Sequence, residues 1–255
     1  MKSINIDVMN LIIDEGNTRI KLAVFKDVQL VDLVISNLED CKEMIDVFIR
    51  KYDIKSLIVS SVTDDVNHIV GELAIINKFF LSHETSLPFT NLYETPKTLG
   101  VDRMALVAGA WSQFPNQNSL VIDAGTCVTY DFIDKHGHYL GGAISPGLKM
   151  RFKSMHFFTK KLPDLEIPSG SVEMIGKSTK QSMESGVLNG MVFEMDGAIA
   201  HYQQKFKDVN IILTGGDANS LYKQLKNSIF VNPNFLLEGL NAVLTYQNKN
   251  EAKLK

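Results

Sequence analysis

An aspartate and a glycine follow an aliphatic stretch near the start of the chain. Residues 11–13 are aliphatic, and Asp14, Gly16, Asn17 and Thr18 come after them. An unbroken aliphatic run is typical of a strand buried on both faces, and a carboxylate at its end lies where an open sheet binds ligands. Successive backbone N–H groups in a glycine turn can bind an anion. A carboxylate beside an anion site suggests a metal–phosphate site, although an ordinary β-hairpin explains the same residues.

The same pattern returns in the second half of the chain. Residues 120–126 repeat residues 11–17, with an aspartate and a glycine after an aliphatic run. Internal repetition favours a duplicated domain over two unrelated hairpins. The polar stretch 115–118 separates the two copies. We therefore predict two domains, residues 1–116 and 117–255, whose two turns face one cleft.

A second pair of charged residues lies between the two copies. Residues 87–100 are rich in turn-forming residues and predict a loop. Asp102 and Arg103 follow it, at the start of a helix rich in small residues over 104–111. Aspartate at a helix N-terminus is favoured by the dipole and can act as a cap. Arginine there is not favoured and suggests an external anionic partner, so capping and function both explain this pair.

The hydrophobic periodicity elsewhere predicts alternating strands and helices, which is typical of an α/β fold. After the opening hairpin, the predicted strands cover 29–35, 56–62, 78–82, 139–144 and 210–214, and the predicted helices cover 38–52, 65–74, 148–158, 178–206 and 235–246. The longest helix carries Gly186, Gly190 and Gly197, which suggest close packing at a subunit interface. The polar residues 248–255 are predicted to fray.

The composition excludes several classes of protein. A net charge of −3 offers no basic field for nucleic acid or an anionic membrane. Cys41 and Cys127 lie far apart, which suits a reducing cytoplasm better than a disulfide scaffold. Asn5 and Asp7 interrupt any signal-peptide core, and no apolar run reaches the roughly 20 residues that span a bilayer. We predict a cytoplasmic enzyme that binds neither nucleic acid nor membrane.

Five motifs in order make the chain resemble the type III pantothenate kinases. They are Asp14 with Gly16, Asn17, Thr18 and Lys21; Gly100 with Asp102 and Arg103; Asp123, Gly125 and Thr126 with Asp131; Gly141, Gly142, Ile144, Pro146 and Gly147; and Gly215 with Gly216. The resemblance spans nearly the whole chain. It implies the actin-like and sugar-kinase superfamily, with two duplicated ribonuclease-H-like domains, mixed five-stranded sheets flanked by helices, and ATP in the cleft between them.

The resemblance also implies a reaction and its ligands. The reaction is ATP-dependent phosphorylation of the primary hydroxyl of pantothenate to 4′-phosphopantothenate, the first step of coenzyme A synthesis. It implies Mg²⁺, a monovalent cation (K⁺ or NH₄⁺) and a homodimer in which the neighbouring subunit completes the substrate site. The nucleotide and phosphate contacts that it implies are Asp14, Glu15, Gly16, Asn17, Thr18, Arg19, Ile20, Lys21, Thr126, Gly215 and Gly216.

Individual roles follow from the same resemblance. Asp14 holds Mg²⁺ through water, Asp102 is the general base, and Arg103 binds the pantothenate carboxylate through its planar fork. Asp123 holds the monovalent cation, and Thr126 contacts the γ-phosphate. The implied substrate contacts are Tyr93, Gly100, Val101, Asp102 and Arg103, together with Thr179 from the neighbouring subunit.

Three positions depart from the family pattern. Glu15 replaces an aliphatic residue and weakens ATP binding if its side chain faces the nucleotide. Ser178 stands where the family often has asparagine, and Cys127 replaces a small residue. Two other functions stay open: a kinase for another small hydroxylated metabolite such as a sugar, and a non-enzymatic transcriptional accessory protein. Tyr93 with Arg103 suits an amphipathic acid better than a neutral sugar.

Overall fold

The strands and helices follow the predicted α/β alternation. A computed structural model describes residues 9–16, 19–61, 65–73, 75 and 77–254. The strands of the described residues are β1 (Met9–Glu15), β2 (Ile20–Lys26), β3 (Gln29–Ser36), β4 (Ile54–Ser61), β5 (Asn77–Phe80), β6 (Thr90–Asn91), β7 (Asn118–Ala124), β8 (Cys127–Ile133), β9 (His138–Pro146), β10 (Val209–Thr214) and β11 (Phe230–Val231). The helices are α1 (Leu38–Lys51), α2 (Asp65–Gly71), α3 (Val101–Gln113), α4 (Leu148–Phe158), α5 (Thr179–Lys205), α6 (Ala218–Leu221) and α7 (Phe235–Leu254).

The first sheet has the strand order β3-β2-β1-β4-β5. Strands β1, β2 and β3 pair antiparallel, and β4 and β5 continue the sheet in parallel from β1. Strand β1 is therefore central, and its residues after Met9 are all buried. This explains why its aliphatic run lacks the polar alternation of a half-exposed strand.

The second sheet repeats the first and adds one strand. Its order is β11-β10-β7-β8-β9-β6, so β9-β8-β7-β10-β11 has the pairing directions of β3-β2-β1-β4-β5. This confirms the predicted duplication. The prediction of five strands per sheet is wrong for this sheet, because the described residues give it a sixth. The added strand is β6, whose Thr90 N–H donates to the Gly137 carbonyl at 2.8 Å.

Helices cover both faces of the first sheet. Leu11 and Ile13 face α1, where they pack with Ile45 and Phe48. On the other face, Asn10 Nδ2 donates to Asn241 Oδ1 of α7 at 2.8 Å.

Helices α3 and α7 approach each other so closely that a Cβ at Gly239 would lie 2.1 Å from the Ala105 carbonyl oxygen. Helix α7 was predicted to end at residue 246 but continues to Leu254. One of its polar residues has a partner in the first sheet, since Ser56 Oγ donates to Asn248 Oδ1 at 3.3 Å.

The chain divides into two compact units. Unit 1 comprises the described residues within Met1–Phe89, Glu94–Ser112 and Phe235–Lys255, and unit 2 those within Thr90–Tyr93 and Gln113–Asn234. The division differs from the predicted domains, 1–116 and 117–255, mainly at the C-terminus. Helix α7 packs on β1 and β4 and so belongs with the first sheet.

Unit 2 has its own core on one face of the second sheet. Helices α4 and α5 cover this face, and α5 buries Met191, Met195 and Ile199 against Leu120 and Ile122 of β7. None of the helices in the described part of the chain is long and apolar enough to cross a membrane.

Candidate active site

Asp14 is buried near the end of β1 and lies opposite Lys21 of β2. Strand alternation places it on the same face as Asn10, the face that α7 covers. Burial raises the pKa of Asp14 from its ordinary value of 3.8 to about 6; Lys21 opposes this shift, and the charges of Asp102 and Glu15 add to it. A buried carboxylate that one lysine compensates only partly is suited to a cation.

Glu15 points the other way. Its side chain is buried and accepts a hydrogen bond from the Ser61 hydroxyl of β4. It lies on the α1 side of the sheet, because its charge, after burial, contributes to the raised pKa of the Cys41 thiol in α1. The side chain of Glu15 therefore faces neither solvent nor the face that carries Asp14.

The turn after β1 is only partly described. Asn17 and Thr18 lie outside the described residues. The Gly16 N–H donates to the Arg19 carbonyl at 3.1 Å, and a Cβ at Gly16 would lie 3.6 Å from that oxygen, an ordinary contact. Arg19 is exposed, whereas the side chain of Ile20 is buried in the core on the α1 side. Any role of Ile20 at a phosphate therefore falls to its backbone.

The start of α3 places two predicted residues differently. Asp102 is exposed, and its Oδ1 accepts from the Arg103 N–H at 2.8 Å; Arg103 itself is buried. A Cβ at Gly100 would lie 2.4 Å from Asp102 Oδ1, so glycine makes room for this carboxylate. Val101 is the first residue of the helix. Unit 1 thus brings Asp102 within electrostatic reach of Asp14.

In unit 2 the repeated turn is enclosed by backbone. Gly215 has φ of +96°, and a Cβ there would lie 2.3 Å from the Ala124 carbonyl oxygen and 2.4 Å from Asp123 Oδ1. A Cβ at Gly147 would lie 2.2 Å from the Gly125 carbonyl oxygen. Both glycines are therefore required by close approach.

Thr126, in the turn after β7, and Gly216, in the turn after β10, are accessible. Thr126 is exposed, and a Cβ at Gly216 would meet no described atom within 4 Å. Unit 2 thus brings together Asp123, Thr126, Gly215 and Gly216.

Tyr93 and Thr179 lie elsewhere in unit 2. Tyr93 follows β6, and its ring stacks on that of Tyr139. Thr179 is exposed at the first residue of α5, where Ser178 caps the helix by accepting from the Gln181 N–H. The Ser178 departure therefore retains a capping side chain.

Sequence analysis assigned no role to three further residues. Asp217 directly follows the two glycines, and burial raises its pKa; its position at the end of β10 was the signal. Tyr139 and Asp131 form a buried pair in which the tyrosine hydroxyl donates to Asp131 Oδ1 at 2.7 Å. The signal there was a carboxylate inside an apolar strand. Among the described residues, no group of three or more histidine, cysteine or acidic side chains could hold a metal.

Comparison with known proteins gives one consistent family. A family model described as type III pantothenate kinase matches residues 10–201. A type III pantothenate kinase of Flavobacterium johnsoniae is 47% identical over 245 residues, which cover 95% of this chain and 100% of the relative.

Solved structures share the fold at low identity. A candidate Baf family transcriptional activator from Campylobacter jejuni gives a TM-score of 0.63 at 19% identity, covering 94% of this chain and 99% of that one. MreB5 of Spiroplasma citri bound to ADP gives 0.52 at 10% identity, covering 96% and 98%. With the two like sheets, these similarities identify a duplicated actin-like fold.

Proposed function

The chain belongs to the type III pantothenate kinase family, and on that premise we propose that it phosphorylates pantothenate with ATP. The primary hydroxyl oxygen of pantothenate attacks the γ-phosphorus, the bond to the departing ADP oxygen breaks, and 4′-phosphopantothenate forms. This is the first step of coenzyme A synthesis. The observation that carries the proposal is the pair of dissimilar carboxylates in unit 1, Asp14 and Asp102.

Asp14 is the carboxylate suited to Mg²⁺. It is buried and its pKa is raised, so a divalent cation would stabilise its charged form. Mg²⁺ prefers sparse carboxylate sites, because it keeps several waters and takes phosphate oxygens as ligands. When bound, Mg²⁺ would neutralise charge on the phosphates during transfer. Lys21, opposite Asp14, supplies a second positive charge for the phosphates.

Asp102 is the carboxylate suited to accept a proton. It is exposed at the start of α3, with Oδ1 held by the Arg103 N–H. We assign it the proton of the attacking hydroxyl. The buried guanidinium of Arg103 would bind the pantothenate carboxylate, since charge-assisted pairs are strong where water is excluded.

The turn of unit 2 supports nucleotide binding. Gly216 is not required by any close contact with the described residues, so the space beside it suits the adenine or ribose of ATP against backbone. Thr126, in the turn after β7, is exposed, and we propose that it contacts the γ-phosphate. Asp123 is half-buried, with its Oδ1 close to Gly215, and we propose that it holds the monovalent cation, K⁺ or NH₄⁺.

A homodimer is proposed from one side of α5. Gly186, Gly190, Phe193 and Gly197 recur at helical spacing, opposite the buried face of the helix. A Cβ at any of these glycines would meet no described atom within 4 Å, and Phe193 is 53% exposed. Small residues beside an exposed aromatic ring allow a second helix to approach closely. We propose that in this dimer the exposed Thr179, at the start of the helix, contacts the neighbouring subunit's substrate.

The dimer can be tested without substrate. Gly190→Leu places a branched side chain on this side of α5 and should convert a dimer to a monomer in sedimentation velocity experiments. Gly71→Leu is the matched control, since a Cβ at this exposed glycine of α2 also meets no described atom. Wild-type protein that sediments as a monomer would rule the dimer out.

A direct assay tests the function. The purified protein is incubated with ATP, Mg²⁺, K⁺ and pantothenate, and phosphopantothenate is detected by mass spectrometry. We expect product with pantothenate and none with an analogue that lacks the primary hydroxyl. A folded protein that yields no product refutes the proposal. Phosphorylation of a sugar would then support the other kinase, and salt-sensitive DNA binding without kinase activity would support a regulator.

A further inference from the structure

A tyrosine pair stands behind the proposed substrate contact in unit 2. The rings of Tyr93 and Tyr139 stack with centroids 6.0 Å apart and planes inclined by 15°. The hydroxyl of Tyr139 donates to Asp131 Oδ1 at 2.7 Å, and both residues are 0% exposed. Tyr93 is only partly buried. A fully buried hydrogen-bonded pair therefore supports a ring that reaches the surface.

The backbone around Tyr93 is also held in place. Leu92 N–H donates to the Tyr139 carbonyl at 3.0 Å, and Tyr93 N–H donates to Asn91 Oδ1 at 2.9 Å. Gly141 has φ of +97°, and a Cβ there would lie 3.2 Å from Cδ2 of Tyr93. The chain just after β6 thus places the ring of Tyr93 against Tyr139 and Gly141.

Burying the polar groups of Tyr139 and Asp131 destabilises the folded state more than an apolar core would. Removing the Asp131 carboxylate from water costs free energy even when it accepts hydrogen bonds. A phenylalanine in place of Tyr139 would fill the same space without burying a polar atom. What the Asp131 bond adds is a fixed orientation of the Tyr139 ring, because it ties the far end of that ring to β8. Because the Tyr139 ring is fixed, the Tyr93 ring that stacks on it has one preferred geometry.

We propose that Tyr139, oriented by Asp131, is a positioning residue that fixes Tyr93 for the acceptor substrate. The fixed ring presents an aromatic face and a hydroxyl, which suits an amphipathic hydroxy acid. The proposal rests on the proposed function for the identity of the substrate. It adds that affinity for the acceptor depends on two buried residues behind Tyr93, while binding of ATP does not.

Steady-state kinetics test the split between the two substrates. Tyr139→Leu removes the supporting ring and should raise KM for pantothenate at least about tenfold, with KM for ATP changed by less than about twofold. Tyr139→Phe keeps the ring but loses its bond to Asp131, so its KM for pantothenate should lie between those of the wild type and Tyr139→Leu. Tyr130→Leu is the control, because Tyr130 is a buried tyrosine of the same sheet whose hydroxyl donates to Glu194 on the other face. Equal rises in both KM values would overturn the proposal.

Fluorine NMR tests the positioning without any substrate. Fluorotyrosine at position 93 should give a resolved signal, shifted from that of the unfolded protein, in the wild-type background. Tyr139→Leu and Gly141→Ala should both move it, and Tyr130→Leu should not.

An unmoved signal in the Tyr139→Leu protein refutes the positioning even where pantothenate is phosphorylated. A moved signal in a protein that phosphorylates no pantothenate supports the positioning and refutes the function instead.

Discussion

The turns after β1 and β7 share a sequence pattern and a place in equivalent sheets, yet their surroundings differ. Asp14 is buried beside a lysine, with the charge of Asp102 in reach, and Gly16 makes only ordinary contacts. Asp123 is half-buried beside Gly215, a glycine that both its positive φ and its neighbours require. The surroundings of Asp14 are thus distinguished by neighbouring charges, and those of Asp123 by close backbone approach.

This difference suggests how a duplicated fold separates its tasks. Charges in unit 1 suit the metal, the phosphates and the proton of the acceptor, whereas unit 2 combines close backbone packing around Asp123 with open space beside Gly216. One sheet topology can hold both arrangements because each lies at the ends of the strands, outside the core. Four sets of experiments test the contrast.

The largest effect is expected at Asp102, the second carboxylate of the charged copy. Asp102→Asn removes the proposed proton acceptor and should lower kcat by about a hundredfold to ten-thousandfold. Affinity for an ATP analogue, measured by calorimetry, should change by less than about twofold. Wild-type turnover in this variant would remove Asp102 from the mechanism.

Titration of Asp14 should make the metal-free protein sensitive to pH. Because the pKa of Asp14 is raised to about 6, the folded state keeps a proton that the unfolded chain has lost above its ordinary value of 3.8. Protonation of Asp14 therefore stabilises the folded state fully below about pH 3.8. As pH rises through about 6 this contribution is lost, and the free energy of unfolding falls by up to about 3 kcal/mol.

Urea unfolding in a chelator from about pH 4 to pH 7 measures this effect. The free energy of unfolding of the wild type should fall relative to that of Asp14→Asn over this interval. Parallel curves would contradict the raised pKa.

Alanine at Gly16, in the turn after β1, and at Gly215, which follows β10 and packs against the turn after β7, tests the backbone half of the contrast. Gly215→Ala forces a Cβ against Ala124 and Asp123 at a positive φ and should lower the free energy of unfolding by about 1–3 kcal/mol. Gly16→Ala meets ordinary contacts and should stay within about 0.5 kcal/mol. Thermal unfolding checks both, and equal losses would erase the distinction between the turns.

The smallest effect is expected at Glu15. Its side chain faces α1 and accepts from Ser61, a bond that glutamine can also accept, so Glu15→Gln should change KM for ATP by less than about twofold. Lys21→Gln, on the face of Asp14, is the contrasting variant and should raise that KM by more than about fivefold. A large gain in ATP affinity from Glu15→Gln would place this charge at the phosphates after all.

The repeated motif carried most of the fold prediction. Two copies of one strand–turn–strand pattern predicted two like sheets, since the order of each sheet follows from its first hairpin and crossovers. The sixth strand was missed because Thr90 and Asn91 are too few to show periodicity and pair with a distant segment. The helix beyond residue 246 was missed because contacts such as Ser56 with Asn248 stabilise its polar end.

The candidate site was predictable as a set of residues but not as an environment. Motifs identified Asp14, Asp102 and Asp123, while burial and neighbouring charges, which differ among them, come from tertiary packing. The orientation of Glu15 follows from strand alternation once the strand extends through residue 15. Gly16 and the equivalent Gly125 both make ordinary contacts with the described residues, whereas Gly215, after β10, is required by its positive φ and by close backbone approach, neither of which the sequence shows.

The placement of α7 has a consequence for synthesis on the ribosome. The helix that covers one face of the first sheet is translated after the whole of unit 2. Domains of many proteins complete themselves in the order of synthesis, N-terminal first. Here the order is reversed, because the segment of unit 2 is complete when the chain reaches Asn234, while β1 still lacks the bond from Asn10 to Asn241. The nascent first sheet therefore lacks the cover of α7 until residues 235–254 have been synthesised.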